Sequence, residues 1–407
     1  MFDVENDMTT TTPTKKISAD GLELLPLPAP QSKKEAAAVL SHLEMEVTES
    51  LPVDLETVEA WRQLTDNPMS GPDWLLPWWE HYGTDRHRLQ LVLFFAGGQL
   101  VSVAPLYLEN GRDFKLLGSG KVCSDYSELL IGDPVWVDRA ETLLIDWLMS
   151  DDSPRWRSMH LEAIDSDSKT LQMAHGWNDR LTVSDLPGES VCTIALPADW
   201  EQYLKSLSKN HRKRVRRWTR QHLETEQVQT LSTEAGWSLE GAFECLIHLH
   251  NLRRSDLPEK GAFECEQFLG FHWEAFFRLA ERGQAAISAI LIDGEPVAIE
   301  YELCNGDTAF AYQSGADTSV TELGSPGSVS LMCRLQAAVA NGKKTYDLMR
   351  GDEGYKSHWK GELKVTRNVT LWPSTFAGNL ARLKFDAKRK LRSVASFAKS
   401  QLKKRNK

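Results

Sequence analysis

The sequence predicts a mixed α/β chain whose strands are joined mainly by hairpins, and in which one folding unit occurs twice. Three observations lead there. Short apolar runs are separated by glycine-bearing turns, an aromatic helix precedes each set of runs, and the series returns about 195 residues later. In the first copy VDLETVEAWRQL (53–64) has helical spacing and DWLLPWWEHYG (73–83) is a short aromatic helix. LQLVLFF (89–95) then reads as a strand, AGGQ as a turn, LVSVAPLYL (100–108) as the next strand and ENGR as a second turn. The second copy runs FLGFHWEAFFRLAERG (268–283), a helix, then the strands AAISAILI (285–292), PVAIEYELC (296–304) and TAFAYQSG (308–315), with DGE and NGD as the turns. Gly98 and Gly111 stand 13 apart, Gly294 and Gly306 stand 12 apart. In both copies a helix (139–149; about 327–340) leads into a short strand, SMHLEAI or KKTYDLM. Hairpin-linked strands covered by helices favour a mixed, mostly antiparallel sheet over a doubly wound parallel one.

At 407 residues the chain exceeds one typical core, so two domains are expected, over 51–195 and 196–373. Residues 1–50, with a Thr run and LPLPAPQSKKE, are expected to be disordered, and 374–407 to form a basic helical tail. The start MFDVENDMTTTTPTKK has no apolar core segment of a secretory signal, and no apolar run reaches the length of a membrane span. Six cysteines without CxxC or Cys/His pairing argue for reduced thiols in a cytoplasmic setting and against a zinc site. The net charge of −10 is uneven. Residues 382–407 carry eleven Lys/Arg and one Asp, which leaves 36 basic against 56 acidic residues elsewhere. An acidic body excludes a general DNA binder, although the tail alone can seek an anionic surface.

The chemistry-bearing candidates sit in the second copy. YDLMRGDEGYKSHW (346–359) breaks from a strand end into charge, a place where α/β proteins put ligands. On the functional reading Asp347 is a general base or orients an acceptor, Arg350 and Lys356 neutralise phosphate or a developing oxyanion, and Tyr355 and Trp359 wall the cleft. The plain alternative makes Asp347 a cap, pairs Arg350 with Asp352 and puts Trp359 in the core. Ser325-Pro326-Gly327-Ser328 opens a helix with Pro near its first position, which is either an ordinary N-cap or an anion site for bare N–H groups. Helix 203–220 carries eight Lys/Arg, with Leu204, Leu207, Val215 and Trp218 as its apolar stripe. Arg212 and Arg216 belong to its basic face, which is either solvated or binds an anionic ligand. Glu300 and Glu302 alternate with apolar neighbours, so the pattern turns them to solvent, with service as a base the alternative. GSGK (118–121) is followed by Val122 and fails the phosphate-loop pattern, and Cys123 reads as an apolar filler.

Taken together, the helix at 203–218, the Asp-Gly hairpin at 293–294, ELGSPGSVSLM (322–332) and YDLMRGDEGYKSHW resemble the GNAT acyltransferase domain of the CelD/BcsL-like family, associated with bacterial cellulose and exopolysaccharide production. DWLLPWWEHYG, VAPLYL and SDYSELLI (124–131) resemble the N-terminal portion of those proteins, so the likeness spans roughly 52–372. Tandem GNAT folds also look like the Fem-type aminoacyl transferases, which use charged tRNA. The resemblance implies two tandem GNAT-like domains, the first degenerate and the second active. It implies an acyl-CoA co-substrate, acetyl-CoA first among them, with no permanently bound cofactor or metal and a small-molecule or saccharide acceptor. It makes Tyr312 the proton donor to the departing thiolate, with Gln313 beside it, and Ser325, Gly327, Ser328, Arg212, Arg216 and Arg350 the holders of the CoA phosphates. The loop TELGSPGS (321–328) keeps the glycines and helix start of the usual pyrophosphate loop without its Arg/Gln-x-x-Gly-x-Gly/Ala spelling. Leu380, Leu383, Ala387, Leu391, Val394 and Phe397 recur at helical intervals in the tail, between basic residues. They dock either on the protein's own acidic body or on an anionic membrane face.

Overall fold

Among the described residues thirteen strands join in one mixed sheet, twelve side by side and a short one paired off that path, in an order that displays the duplication directly. The computed structural model describes residues 43–52, 54–120, 124–254, 261–351 and 354–405, with side chains omitted for 254 and 392–405. The first copy contributes β1 (Leu43–Thr48), α1 (Leu55–Gln63), α2 (Pro72–Tyr82), β2 (His87–Ala96), β3 (Gln99–Glu109), β4 (Asp113–Leu116), β5 (Ile131–Gly132), α3 (Pro134–Leu148), β6 (Ser158–Ile164), α4 (Lys169–Gly176) and β7 (Leu181–Ala195). The second contributes α5 (Trp200–Ser206), α6 (Lys209–Trp218), β8 (Val228–Ser232), α7 (Leu239–Arg254), α8 (Glu266–Ala280), β9 (Ala285–Ile292), β10 (Glu295–Cys304), β11 (Thr308–Ala316), α9 (Pro326–Ala340), β12 (Thr345–Arg350), β13 (Glu362–Pro373) and α10 (Phe376–Arg405).

Across the sheet the order is β1-β2-β3-β4-β6-β13-β7-β12-β11-β10-β9-β8, a sequence that reads alike from either edge. Each copy ends in a parallel pair, β4 with β6 and β11 with β12, and all other pairs are antiparallel. The last strand of each copy crosses the centre, so that β7 pairs with β12 and β13 with β6. The expected boundary at 195/196 therefore falls at the end of a strand that is already hydrogen-bonded to the second copy.

The two aromatic helices also meet. Gly270 of α8 leaves no room for a side chain against the His81 ring of α2, whose Nε2 lies 3.2 Å from Glu274 Oε2. Trp74 and Phe271 stand edge to face at 4.8 Å in one core shared by both copies. Such a pair contributes about 0.5–1.5 kcal/mol beyond its burial.

Three expectations are corrected. Disorder was expected through residue 50, but β1 pairs along its whole length with β2, because alternation of Leu43, Met45 and Val47 lays one apolar face on the first core; residues 1–42 lie outside the described residues. The helix expected over 203–220 is two helices, since Leu207 is extended and the Ser208 hydroxyl caps α6 by accepting from the His211 N–H. Its apolar stripe is buried as expected. Glu300 and Glu302 are 8 % and 3 % exposed, because α9 covers the face they occupy. The Cys123 and Lys121 readings fall outside the described residues, as does Asp352.

Candidate active site

β11 and β12 run together for only three residues, from Thr308/Thr345 to Phe310/Asp347, and then part. Two local features open them. On β11 a bulge falls at Tyr312, since Tyr301 pairs with Gln313 and Glu302 with Ala311; bulges bend a strand and turn its edge. On β12 Met349 takes a left-handed conformation at φ 55°. The opening is a cleft of about 720 Å³. Its floor is the unpaired edge of β11 at Gln313–Ala316, and Gly315 is required there because a Cβ would lie 2.4 Å from the His250 backbone nitrogen of α7.

The start of α9 forms one wall. Ser325 occupies the cap position but caps no backbone N–H with its side chain; its hydroxyl donates instead to Ser328 Oγ at 2.8 Å. Pro326 brings no N–H, the Ser328 and Val329 N–H groups donate to the Ser325 carbonyl at 3.0 and 3.1 Å, and a Cβ at Gly327 would touch nothing within 4 Å, so the helix start is open at Gly327. The Gly327 N–H and the helix dipole together favour an anion.

Charged side chains complete the lining. Arg253 donates to Ser314 Oγ at 3.0 Å. Glu300 reaches the cleft from β10, and burial, reinforced by the neighbouring Glu302, pushes its carboxyl up to about 8. Glu302 is engaged by Arg334 of α9 and by the Tyr346 hydroxyl. The opposite wall comes from the first copy. Asp125, 1 % exposed, is paired through one oxygen with the Arg350 guanidinium, which also donates to the Ser124 carbonyl at 3.1 Å. Its other oxygen, Oδ2, is buried with no partner among the described residues. Burial raises the Asp125 carboxyl despite the Arg350 charge.

The structure gathers eight of the expected residues on this cleft: Tyr312, Gln313, Ser325, Gly327, Ser328, Arg350, Tyr355 and Lys356. Several have other roles than expected. Lys356 was expected to neutralise phosphate or an oxyanion; the residue is 3 % exposed and its Nζ donates to the carbonyls of Leu348, Met349, Arg350 and Gly351 at 2.7–3.3 Å, tying down the strained end of β12. Asp347 was expected to act as base. Its carboxylate instead accepts from the Tyr126 hydroxyl and from the Met349 N–H at 2.7 Å, behind the cleft wall. Burial raises it to about 6 even so. Trp359 does not wall the cleft; it is core, 1 % exposed, with its ring on His211 at 4.5 Å. The Tyr312 hydroxyl lies 3.3 Å from His272 Nε2 in the aromatic core. Arg350 pairs with Asp125, and the expected partner Asp352 lies outside the described residues. Arg212 and Arg216 line a separate groove of about 510 Å³ with Lys209, Lys213 and Arg220, because α6 turns Val215 and Trp218 inward and its basic face away from the cleft.

Sequence reasoning weighted Glu300 toward solvent and passed over Asp125 and Arg253. Glu300 carried a signal, a carboxylate inside an otherwise apolar strand. Asp125 carried none, since its partner is 225 residues away.

Residues 207–357 match the family model described as the acetyltransferase (GNAT) domain. A search of curated proteins finds no match. Among solved structures, FemX aligns at 10% identity with a TM-score of 0.58, covering 84% of this chain and 99% of its own. A conserved protein of unknown function from Bacteroides thetaiotaomicron aligns at 12% identity and TM-score 0.49, over 81% and 100% of the two chains. A tandem GNAT protein from the clavulanic acid biosynthesis pathway aligns at 12% and 0.39, over 82% and 99%. The fold is a mixed α/β sheet in which one unit occurs twice, and the second unit contains the stretch that matches the GNAT domain.

Proposed function

We propose that the cleft transfers an acyl group, acetyl first, from acyl-CoA to an amine or hydroxyl acceptor. One observation carries the reading: an uncapped helix start faces a buried carboxylate of raised affinity for protons across a wedge between two parting strands. The CoA pyrophosphate rests on the α9 N-terminus between Ser325, Gly327 and Ser328, and the pantetheine arm follows the bare β11 edge. Glu300 takes the proton from the acceptor, directly or through one water, as the acceptor attacks the thioester carbonyl. The C–S bond then breaks and the proton passes to the thiolate, so the chain needs no covalent intermediate. Positioning and amide stabilisation of the oxyanion supply the remaining rate. Residues 51–195 act as a degenerate partner whose Asp125 oxygen holds a donor group of the acceptor, and residues 196–373 bear the donor site. By the CelD/BcsL-like resemblance the acceptor is a saccharide of exopolysaccharide or envelope synthesis, handled in the cytoplasm.

A second reading, transfer from aminoacyl-tRNA as in Fem-type proteins, is favoured by the FemX likeness and the cationic Arg212/Arg216 groove. Mass spectrometry of co-purifying ligand, joined to thiol release from acetyl-CoA, tests both. CoA with thiol release is the expected result, bound tRNA selects the second reading, and neither ligand would leave a non-catalytic pair and overturn the proposal.

A further inference from the structure

Helix α10 presents an apolar stripe to solvent. Phe376, Leu380, Leu383, Ala387 and Leu391 follow one another at spacings of four, three, four and four, which puts all five on one narrow face. Phe376 is 86 % exposed, Leu383 61 % and Leu391 72 %. The opposite side is the one that meets the sheet: Gly378 abuts Pro373, and Phe385 packs edge-on against Trp372 at 5.2 Å. Exposed lysines flank the stripe, Lys384 and Lys388 along one side and Lys390 along the other.

We propose that this face docks on an anionic lipid bilayer, with α10 lying in the interface plane, its stripe at the acyl boundary and its lysines among acidic headgroups. Charge selects the bilayer over a second copy of the chain. A copy of α10 brings lysine against lysine, whereas acidic headgroups bring the opposite sign to both flanks. Among the described residues no helix is long and apolar enough to cross a membrane, so contact through α10 is peripheral.

Sedimentation of the full-length protein with phosphatidylcholine vesicles, with and without added phosphatidylglycerol, tests the proposal. The wild type is expected to pellet with the phosphatidylglycerol vesicles and to be released by salt. The variant Leu380→Gln/Leu383→Gln/Leu391→Gln, its fold checked by circular dichroism, is expected to bind at least about tenfold more weakly. Should that variant misfold, Lys384→Glu/Lys388→Glu, which alters only exposed side chains, replaces it with the same expected loss. Wild type that ignores both vesicles, or variants that pellet like wild type, overturn the proposal. So does a concentration-dependent dimer that disappears in the Leu variant while vesicles are ignored, since the stripe then belongs to a second copy.

Discussion

One unit is used twice, and its two copies diverge at the start of one helix and in the loop before it. Both helices open with Pro at the first position, α3 after Asp133 and α9 after Ser325. In the first copy the Asp133 carboxylate accepts from the Val135 N–H at 2.8 Å, filling the site an anion would take and placing a negative charge there. In the second the cap is a serine whose hydroxyl turns to Ser328 and leaves the Gly327 N–H, the counterpart of Val135, without a side-chain cap. The wedge beyond the parallel strands differs in the same sense. Where β4 and β6 part, the loop is drawn across the gap: the Tyr126 N–H donates to the Ala163 carbonyl at 2.9 Å, and β5 pairs with β3. Where β11 and β12 part, the gap stays open. The loop that closes the first wedge also furnishes the second, through Asp125 on the cleft and Tyr126 on Asp347. On the proposed function, duplication lets one copy give up its ligand site and become a wall for the other.

The comparison is broken most severely at Glu300, which has no counterpart role in the closed wedge. Glu300→Gln is expected to lower kcat by about 10²–10³-fold with little change in donor KM, and to remove the rise of the wild-type rate with pH through about 8. The same carboxyl carries a sign test on stability. Its folded affinity for protons lies above the unfolded value of 4.5, so the folded state binds the extra proton and stability falls as pH rises from about 4.5 through about 8. Glu300→Gln is therefore expected to be more stable than wild type at pH 8, with the gap closing toward pH 4.5 in chemical denaturation. Identical curves would remove Glu300 from the cleft chemistry.

A smaller effect is expected at the tie between the copies. Tyr126→Phe leaves the buried Asp347 without its hydroxyl partner, and should cost about 1–3 kcal/mol in denaturant unfolding. It should also move Asp347 further upward, so the destabilisation is greatest above pH 6 and shrinks in acid. The smallest effect belongs to the closed wedge. Asp133→Ala removes a helix cap and should cost about 1 kcal/mol while leaving turnover untouched. Lost turnover there would mean that the first copy binds a ligand of its own.

The legible part of the sequence was its period. Runs such as AAISAILI and PVAIEYELC, with glycine turns at matching intervals, fix strands and hairpins locally, and the return of that pattern exposes the duplication. Ser325-Pro326-Gly327-Ser328 was legible for the same reason, since cap chemistry is local. What failed was whatever depends on the far side of the sheet. Alternation marks Glu300 as facing away from the apolar side, but only the position of α9 decides whether that side is wet. Lys356 and Trp359 share a motif with Arg350, yet the left-handed Met349 turns the chain so that one staples carbonyls and the other enters the core. Asp125 joins the cleft through a contact that no local pattern records.

The account rests on the open start of α9 as the donor site, and calorimetric titration of CoA into the full-length protein tests it most directly when wild type is set beside Ser325→Asp, which gives the second copy the cap of the first. Wild type should bind CoA at one site per chain, and Ser325→Asp should bind at least about tenfold more weakly with its fold intact. Equal CoA affinity in the two proteins, or none in the wild type, would contradict it.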